Sequence, residues 1–146
     1  MTYLKNNRLE QVDKLKYLGI IIDSKFKFNE HIQYITDKCP KLINPLGKSA
    51  RITWGLSHEA LKIIYNGAIL PQLLYAAPVW IDSMKKEYNK AKYTTVQRLV
   101  GLRIAKAYRT ISHEALCIKT GIPPINIKVE EAVALYNITK GRIIQR

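Results

Sequence analysis

The stretch Lys85-Lys86-Glu87-Tyr88-Asn89-Lys90-Ala91-Lys92-Tyr93-Thr94-Thr95-Val96-Gln97-Arg98-Leu99-Val100-Gly101-Leu102-Arg103-Ile104-Ala105-Lys106-Ala107-Tyr108-Arg109 holds eight Lys or Arg against a single acid, Glu87. Its local net charge is +7 over 25 residues. At about 100° per residue, Tyr93, Val96, Val100, Ile104 and Ala107 share a stripe about 80° wide, which predicts one amphipathic helix from Lys85 to Ala107. Lys92, Arg98, Arg103 and Lys106 fall off that stripe. The charge therefore flanks a buried face and stays available to a partner, and this density of cations asks for a polyanion.

The rest of the chain carries the same signal more weakly. Its 146 residues hold 24 Lys or Arg against 11 Asp or Glu, a formal net charge of +13 spread through both halves. A hydrophobic content of 47% is enough for one ordinary core, so a single ordered domain is expected. Cys39 and Cys117 have no C-x-x-C spacing, and with His31, His58 and His113 they make no recognisable zinc pattern, so neither a metal nor any other cofactor is expected. The chain opens without a basic segment followed by an apolar one, which predicts an intracellular protein and does not separate nucleus from cytoplasm. The longest apolar stretch, Ile69 to Ile81, is 13 residues long and contains Gln72 and two prolines. A bilayer span needs about 20 residues, so this stretch is expected to be buried and no membrane partner is expected.

Before the basic helix, Thr2 to Leu4, an Asn6-Asn7 turn and Arg8 to Val12 read as a strand pair. Leu15 to Asp23 is rich in β-branched residues and closed by a turn at Asp23-Ser24, so it reads as a further β element. From Asn29 the period changes. Ile32, Ile35, Cys39, Leu42 and Leu46 recur at three and four, with Asn29 placed as cap and a kink or restart expected at Pro40. Trp54-Gly55-Leu56 reads as a turn, after which Ser57 caps a helix with Leu61, Ile64, Tyr65, Ala68 and Ile69 inward. A kink or break is expected at Pro71. Ser112 caps another helix, ended by Gly121 and Pro123-Pro124, and Lys128 to Lys140 forms the last with Val129, Ala132, Val133 and Tyr136 inward. The fold class is mainly α, of the α+β kind: a short N-terminal β-hairpin or strand element followed by a bundle of about five helices.

Ser57-His58-Glu59-Ala60-Leu61 recurs identically as Ser112-His113-Glu114-Ala115-Leu116. Because the residues that follow do not match, the echo reads as two helix starts sharing cap chemistry rather than as a duplicated module. The histidines sit near helix starts with no nucleophile and carboxylate in a hydrolase pattern, so no catalytic residue is assigned. Tyr17, Tyr75, Trp54 and Trp80 lie among aliphatic neighbours and read as core.

Five motifs then occur in order: Lys16-Tyr17-Leu18-Gly19-Ile20-Ile21-Ile22-Asp23 with Phe28-Asn29-Glu30-His31-Ile32; Trp54-Gly55-Leu56-Ser57; Leu74-Tyr75-Ala76-Ala77-Pro78-Val79-Trp80; Gln97-Arg98 with Ala107-Tyr108-Arg109-Thr110-Ile111-Ser112; and Gly121-Ile122-Pro123-Pro124-Ile125. Together they resemble the reverse transcriptases of non-LTR (LINE-type) retrotransposons, in the order shown by insect elements of the jockey and related groups. The chain departs from that family at Ala77-Pro78 and at Ile111. The resemblance implies that residues 1–28 are the primer-grip end of the palm, with Tyr17-Leu18-Gly19 at the grip, and that residues 29–146 are a helical thumb and connection.

In that family the grip positions the primer's 3′ end and the thumb follows the template and primer backbone. Two-metal phosphoryl transfer needs converging carboxylates, which the family takes from an adjacent Asp pair and an earlier Asp. Asp13, Asp23, Asp37 and Asp82 are all isolated here. The expectation is a polymerase fragment that is no enzyme on its own and that binds RNA/DNA duplex backbone without sequence preference, beside the remainder of the reverse transcriptase. A helical protein-interaction module, or a domesticated nucleic-acid-binding module from such an element, is the alternative. The residues expected to meet nucleic acid are Lys14, Lys16 and Tyr17 at the grip and Lys92, Arg98, Arg103, Lys106, Tyr108 and Arg109 on and after the basic helix. Tyr108 either stacks on a base or sugar beside Arg109 or anchors two helices, and alternation in a half-buried strand would also expose Lys14 and Lys16.

Overall fold

A computed structural model describes residues 3–52, 58–105 and 110–144, and the side chains of 5–43, 59–105 and 110–141. Strand β1 (Tyr3–Leu4) pairs with β2 (Asn7–Arg8), Tyr3 opposite Arg8. Lys5 and Asn6 form the turn, both at positive φ (48° and 67°), as tight hairpins of right-handed twist require. The turn thus falls one residue before Asn6-Asn7, and the return strand stops at Arg8 rather than Val12. The run from Leu15 to Asp23 is β structure, as expected, but it belongs to two strands. β3 (Lys14–Tyr17) turns back at Leu18-Gly19 into β4 (Ile20–Asp23), with Lys14 opposite Asp23 and Tyr17 opposite Ile20. Gly19 permits this: its φ is +81°, and a Cβ there would meet the Tyr75 ring at 3.4 Å.

Besides its lysines, the ribbon is tied to the rest of the fold through Asp23, Ile21 and Leu18. The Asp23 carboxylate accepts from the backbone N–H groups of Phe28 (2.9 Å) and Lys27 (3.1 Å). Burial pushes the Asp23 carboxyl up, but these N–H donors outweigh it and hold the group below its ordinary value. The Ile21 N–H donates to Nδ1 of His31 at 3.3 Å, and the Tyr75 hydroxyl donates to the Leu18 carbonyl at 2.6 Å.

Helix α1 (Asn29–Ile52) runs unbroken through Pro40, where the sequence predicts a kink or restart. Its face of Ile32, Ile35, Cys39 and Ile43 is buried in the core, and that burial outweighs the hydrogen bond Pro40 cannot make. The inward residue in the fourth turn is Ile43; Leu42 is exposed, and the side chain of Leu46 lies outside the described residues. Asn29 is not a cap. Its Oδ1 accepts from Asn89 Nδ2 (3.0 Å) and Lys86 Nζ (3.5 Å), joining the starts of two helices.

The Trp54 turn and the Ser57 cap fall outside the described residues. Helix α2 (His58–Ile64) passes into a π-helical turn, Tyr65–Ile69, in which the Leu70 N–H reaches the Tyr65 carbonyl. Pro71, without an N–H, lies in the first turn of α3 (Leu70–Leu74), so the wide turn accommodates the proline without breaking the chain path. The break comes later, at Tyr75-Ala76, where Ala76 takes φ 57° before the short α4 (Ala77–Trp80). Ile69, Leu73, Ala77 and Trp80 of this apolar stretch are buried, as expected; Tyr75 is exposed. Trp80 is the centre of the core, edge-on to Tyr93 at 5.5 Å, with its Nε1 donating to the Tyr75 carbonyl.

A 3-10 turn (Ile81–Lys85) leads to α5 (Glu87–Ala105), which starts two residues later than the periodicity predicts because Lys86 is extended; Lys106 and Ala107 of the predicted helix lie outside the described residues. The predicted stripe of Tyr93, Val96, Val100 and Ile104 is buried. Helix α6 (His113–Thr120) starts where Ser112 Oγ accepts from the Ala115 N–H and ends at Gly121, φ 69°, as predicted. The second copy of the repeated pentapeptide therefore stands at a helix start, and His58 to Leu61 of the first lie in α2. Helix α7 (Ile125–Ile144) begins earlier than Lys128; Val129 is buried and Ala132 and Val133 half-buried, while Tyr136, expected inside, is exposed. Among the described residues no helix is long and apolar enough to cross a membrane.

Candidate nucleic-acid interface

Helix α5 distributes its cations by the rotation of the α-helix. Lys92 and Arg103 are 11 residues apart and lie on one flank of the buried stripe, about 20° apart around the axis and about 16 Å along it. Arg98 lies on the other flank, about 120° away from Lys92, near His113 of α6. All three are half-buried at the stem. Burial, which the Arg98 charge reinforces and the Glu114 charge opposes, lowers the His113 pKa. Helix α5 thus presents two cationic flanks rather than one row. Lys106, Tyr108 and Arg109 lie outside the described residues.

At the ribbon, alternation separates the three expected contacts. Lys14 and Lys16 project from one side of β3 and Tyr17, 59% exposed, from the other, so Tyr17 is neither core nor beside the lysines. Lys14 pairs with Glu30 at 3.7 Å, an exposed contact of little energetic weight. Lys16 is held differently. Its Nζ donates to the Tyr34 hydroxyl at 3.0 Å and lies 4.7 Å from the centre of that ring. The hydrogen bond from Lys16, with the charges of Lys16 and Lys38, lowers the Tyr34 pKa.

A matching arrangement stands at the start of α5. Lys86 Nζ lies 5.7 Å and Lys92 Nζ 5.8 Å from the centre of the Tyr88 ring, which is half-exposed. Neither lysine is in an ion pair among the described residues, whereas neighbouring Lys85 and Lys90 pair with Asp82 and Glu87. A lysine held on an aromatic ring is oriented with no acid compensating its charge, unlike one held on a carboxylate. The first turn of α1 links the two groups, since Asn29 accepts from Lys86 while Glu30 meets Lys14. Tyr34, Lys38, Lys86 and Tyr88 are absent from the sequence-predicted set. The signal for them was available: Tyr34 and Lys38, and Tyr88 and Lys92, stand at i and i+4, the spacing that brings helical side chains together.

His31, one of the residues weighed for catalysis, is fully buried 6.2 Å from Trp80. Burial lowers its pKa, and in the neutral ring that accepts from Ile21 the proton sits on Nε2, which has no partner among the described residues. Its role is to dock the ribbon. Among the described residues no three His, Cys, Asp or Glu side chains gather as a metal site.

A basic helical body with a two-stranded ribbon at one end, its lysines aligned on tyrosines, is the shape in which the sequence comparisons fall. The chain is homologous, over most of its length, to Pol proteins of non-LTR retrotransposons. Its relatives are chiefly those of type-1 elements of the R1 kind. It is 33% identical over 132 residues to the Retrovirus-related Pol polyprotein from type-1 retrotransposable element R1 4 of Nasonia vitripennis, covering 87% of this chain and 32% of that protein. It is 30% identical over 133 residues to the Putative 115 kDa protein in type-1 retrotransposable element R1DM of Drosophila melanogaster, covering 91% of this chain and 13% of that protein. The Probable RNA-directed DNA polymerase from transposon BS, also of Drosophila melanogaster, is 27% identical over 82 residues, 56% of this chain and 9% of that protein. The chain therefore spans about a third or less of the length of these curated relatives. No family model matches the chain, and no solved structure matches it.

Proposed function

We propose that this chain is a non-catalytic segment of a retrotransposon RNA-directed DNA polymerase that grips the sugar-phosphate backbone of template and primer. In this reading residues 1–28 act as the primer-grip end of a palm and residues 29–146 as thumb and connection, with the remainder of the reverse transcriptase as protein partner and the interior of the cell as the setting. The observation that carries it is the pair of lysine–tyrosine groups at the ribbon and at the start of α5, where Lys16, Lys86 and Lys92 are held on rings rather than on acids among the described residues. Lys14, Arg98 and Arg103 add positive charge, Lys106 and Arg109 are assigned to the interface from the sequence, and phosphate contacts of this kind orient a duplex without reading its bases. Bond making is assigned to regions of the relatives beyond the span this chain covers, because its aspartates are isolated in sequence.

Fluorescence anisotropy of the full chain with a primer-template duplex tests the reading. With four to six phosphate contacts, affinity falls about a hundredfold or more between about 50 and 200 mM salt. Absent binding, or binding insensitive to salt, refutes it. Exposed Leu15 and Leu18 on the ribbon, Phe26 just after it, and Leu135 and Ile138 on α7 favour a second reading, a protein-interaction module. Self-association that persists at high salt, without nucleic-acid binding, would decide for it.

A further inference from the structure

A duplex held by its phosphates has no use for an aromatic ring, because its bases are already stacked on one another. Tyr88 is 49% exposed at the start of α5, and its hydroxyl takes part in none of the hydrogen bonds that seat Tyr65, Tyr75 and Tyr93. Its neighbours are two ammonium groups at 5.7 and 5.8 Å from the ring centre, near the outer limit at which a cation and a ring attract. They are close enough to orient the ring and too distant to cover it. Lys86 is further anchored by Asn29 Oδ1 at 3.5 Å, and Asn29 is itself fixed by Asn89, which also donates to Ser83 Oγ and to the Ser83 carbonyl. The group therefore rests on a buried polar network rather than on a loose loop.

We propose that Lys86, Tyr88 and Lys92 form a stacking platform for an unpaired nucleotide of single-stranded nucleic acid, the Tyr88 ring taking the base face and the two ammonium groups the flanking phosphates. The inference rests on the nucleic-acid reading above and adds to it a preference: besides duplex phosphates, the start of α5 takes an unpaired strand. Every base has a π face, so the platform takes single strands with little regard to sequence. A paired base offers it nothing.

Anisotropy of the full chain with a labelled oligo(dT) single strand and with a blunt duplex, at one salt concentration, tests this. Tyr88→Ala weakens single-strand binding about tenfold and leaves the duplex within about twofold, while Tyr88→Phe retains single-strand binding. Lys92→Ala weakens both and reduces the salt slope by about one contact. Photo-cross-linking of the wild-type chain to an oligonucleotide carrying 4-thiouracil gives an adduct on the peptide that contains Tyr88, a readout independent of any variant's folding. The platform is overturned if Tyr88→Ala leaves single-strand affinity unchanged, if it weakens both ligands equally, if the wild type binds duplex alone, or if the adduct maps elsewhere. In each of those cases salt-sensitive duplex binding leaves the backbone reading standing. Failure of the wild type to bind either ligand removes both.

Discussion

Gln97 is the polar residue on whose replacement the helix packing should depend most. It is 4% exposed on the buried face of α5, and both ends of its amide are used. Nε2 donates to the Pro123 carbonyl at 2.7 Å and to the Tyr65 hydroxyl at 3.3 Å, and Oε1 accepts from the Ile125 N–H at 2.8 Å. One side chain thus fastens α5 to the π-helical turn and to the corner that starts α7. Gln97→Leu keeps the volume but orphans the buried Ile125 N–H, at about 1–3 kcal/mol, while the carbonyl of exposed Pro123 can turn to water. A loss of about 1–3 kcal/mol lowers the melting temperature of a chain this long by about 2–12 °C. Urea titration followed by circular dichroism measures it, with an unchanged m-value showing that the loss lies in stability rather than in the unfolded ensemble. Gln97→Glu, which keeps an acceptor for Ile125 but sets an oxygen against the Pro123 carbonyl, is expected to destabilise as well. A Gln97→Leu chain within about 0.5 kcal/mol of wild type would refute the assignment of Gln97 as the fastening residue.

Two further outcomes follow from packing and burial. Gly101→Ala puts a Cβ 2.8 Å from the Leu116 side chain, so the overpacking cost of about 1–3 kcal/mol exceeds the helix-propensity gain of about 1 kcal/mol. Thermal melts are expected to show a net loss that Leu116→Ala relieves in a double-mutant cycle; a higher melting temperature for Gly101→Ala alone would contradict the close contact of α5 and α6. His31 is neutral in the fold because burial lowers its pKa, so the unfolded chain takes up the proton first as pH falls below about 6.5. Stability is therefore full above that pH and declines below it. His31→Gln is expected to flatten the decline in melting temperature between about pH 7 and 5, and an identical decline in both chains would sink the argument.

The sequence displays clearly those features whose cause is local. The stripe Tyr93-Val96-Val100-Ile104, the Ser112 cap, the Gly121 stop and the mainly helical class all follow from periodicity and backbone chemistry within one or two turns, and all are present. Five weak motifs in order also point to the retrotransposon family that the relatives bear out. The readings that needed correction are those in which a distant partner overrides local preference. Asn29 has the residue type of a cap, yet Asn89 and Lys86 from 57 to 60 positions away claim its side chain. Pro40 should interrupt α1 and does not, since the face running past it is buried.

The candidate interface divides along the same line. That this chain is cationic, and that α5 bears charge beside a buried stripe, is a property of composition and of a repeat of 3.6 residues, both written in one dimension. Which lysines face an acid and which a ring is a property of neighbours. Lys14 meets Glu30 of α1, Lys16 meets Tyr34, and Lys86 and Lys92 converge on Tyr88, because the ribbon docks on α1 through His31 and on the α3–α4 corner through Tyr75, and the starts of α1 and α5 abut at Asn29. Electrostatic interaction falls with distance in space, not along the chain, so only the folded arrangement settles which charges are matched.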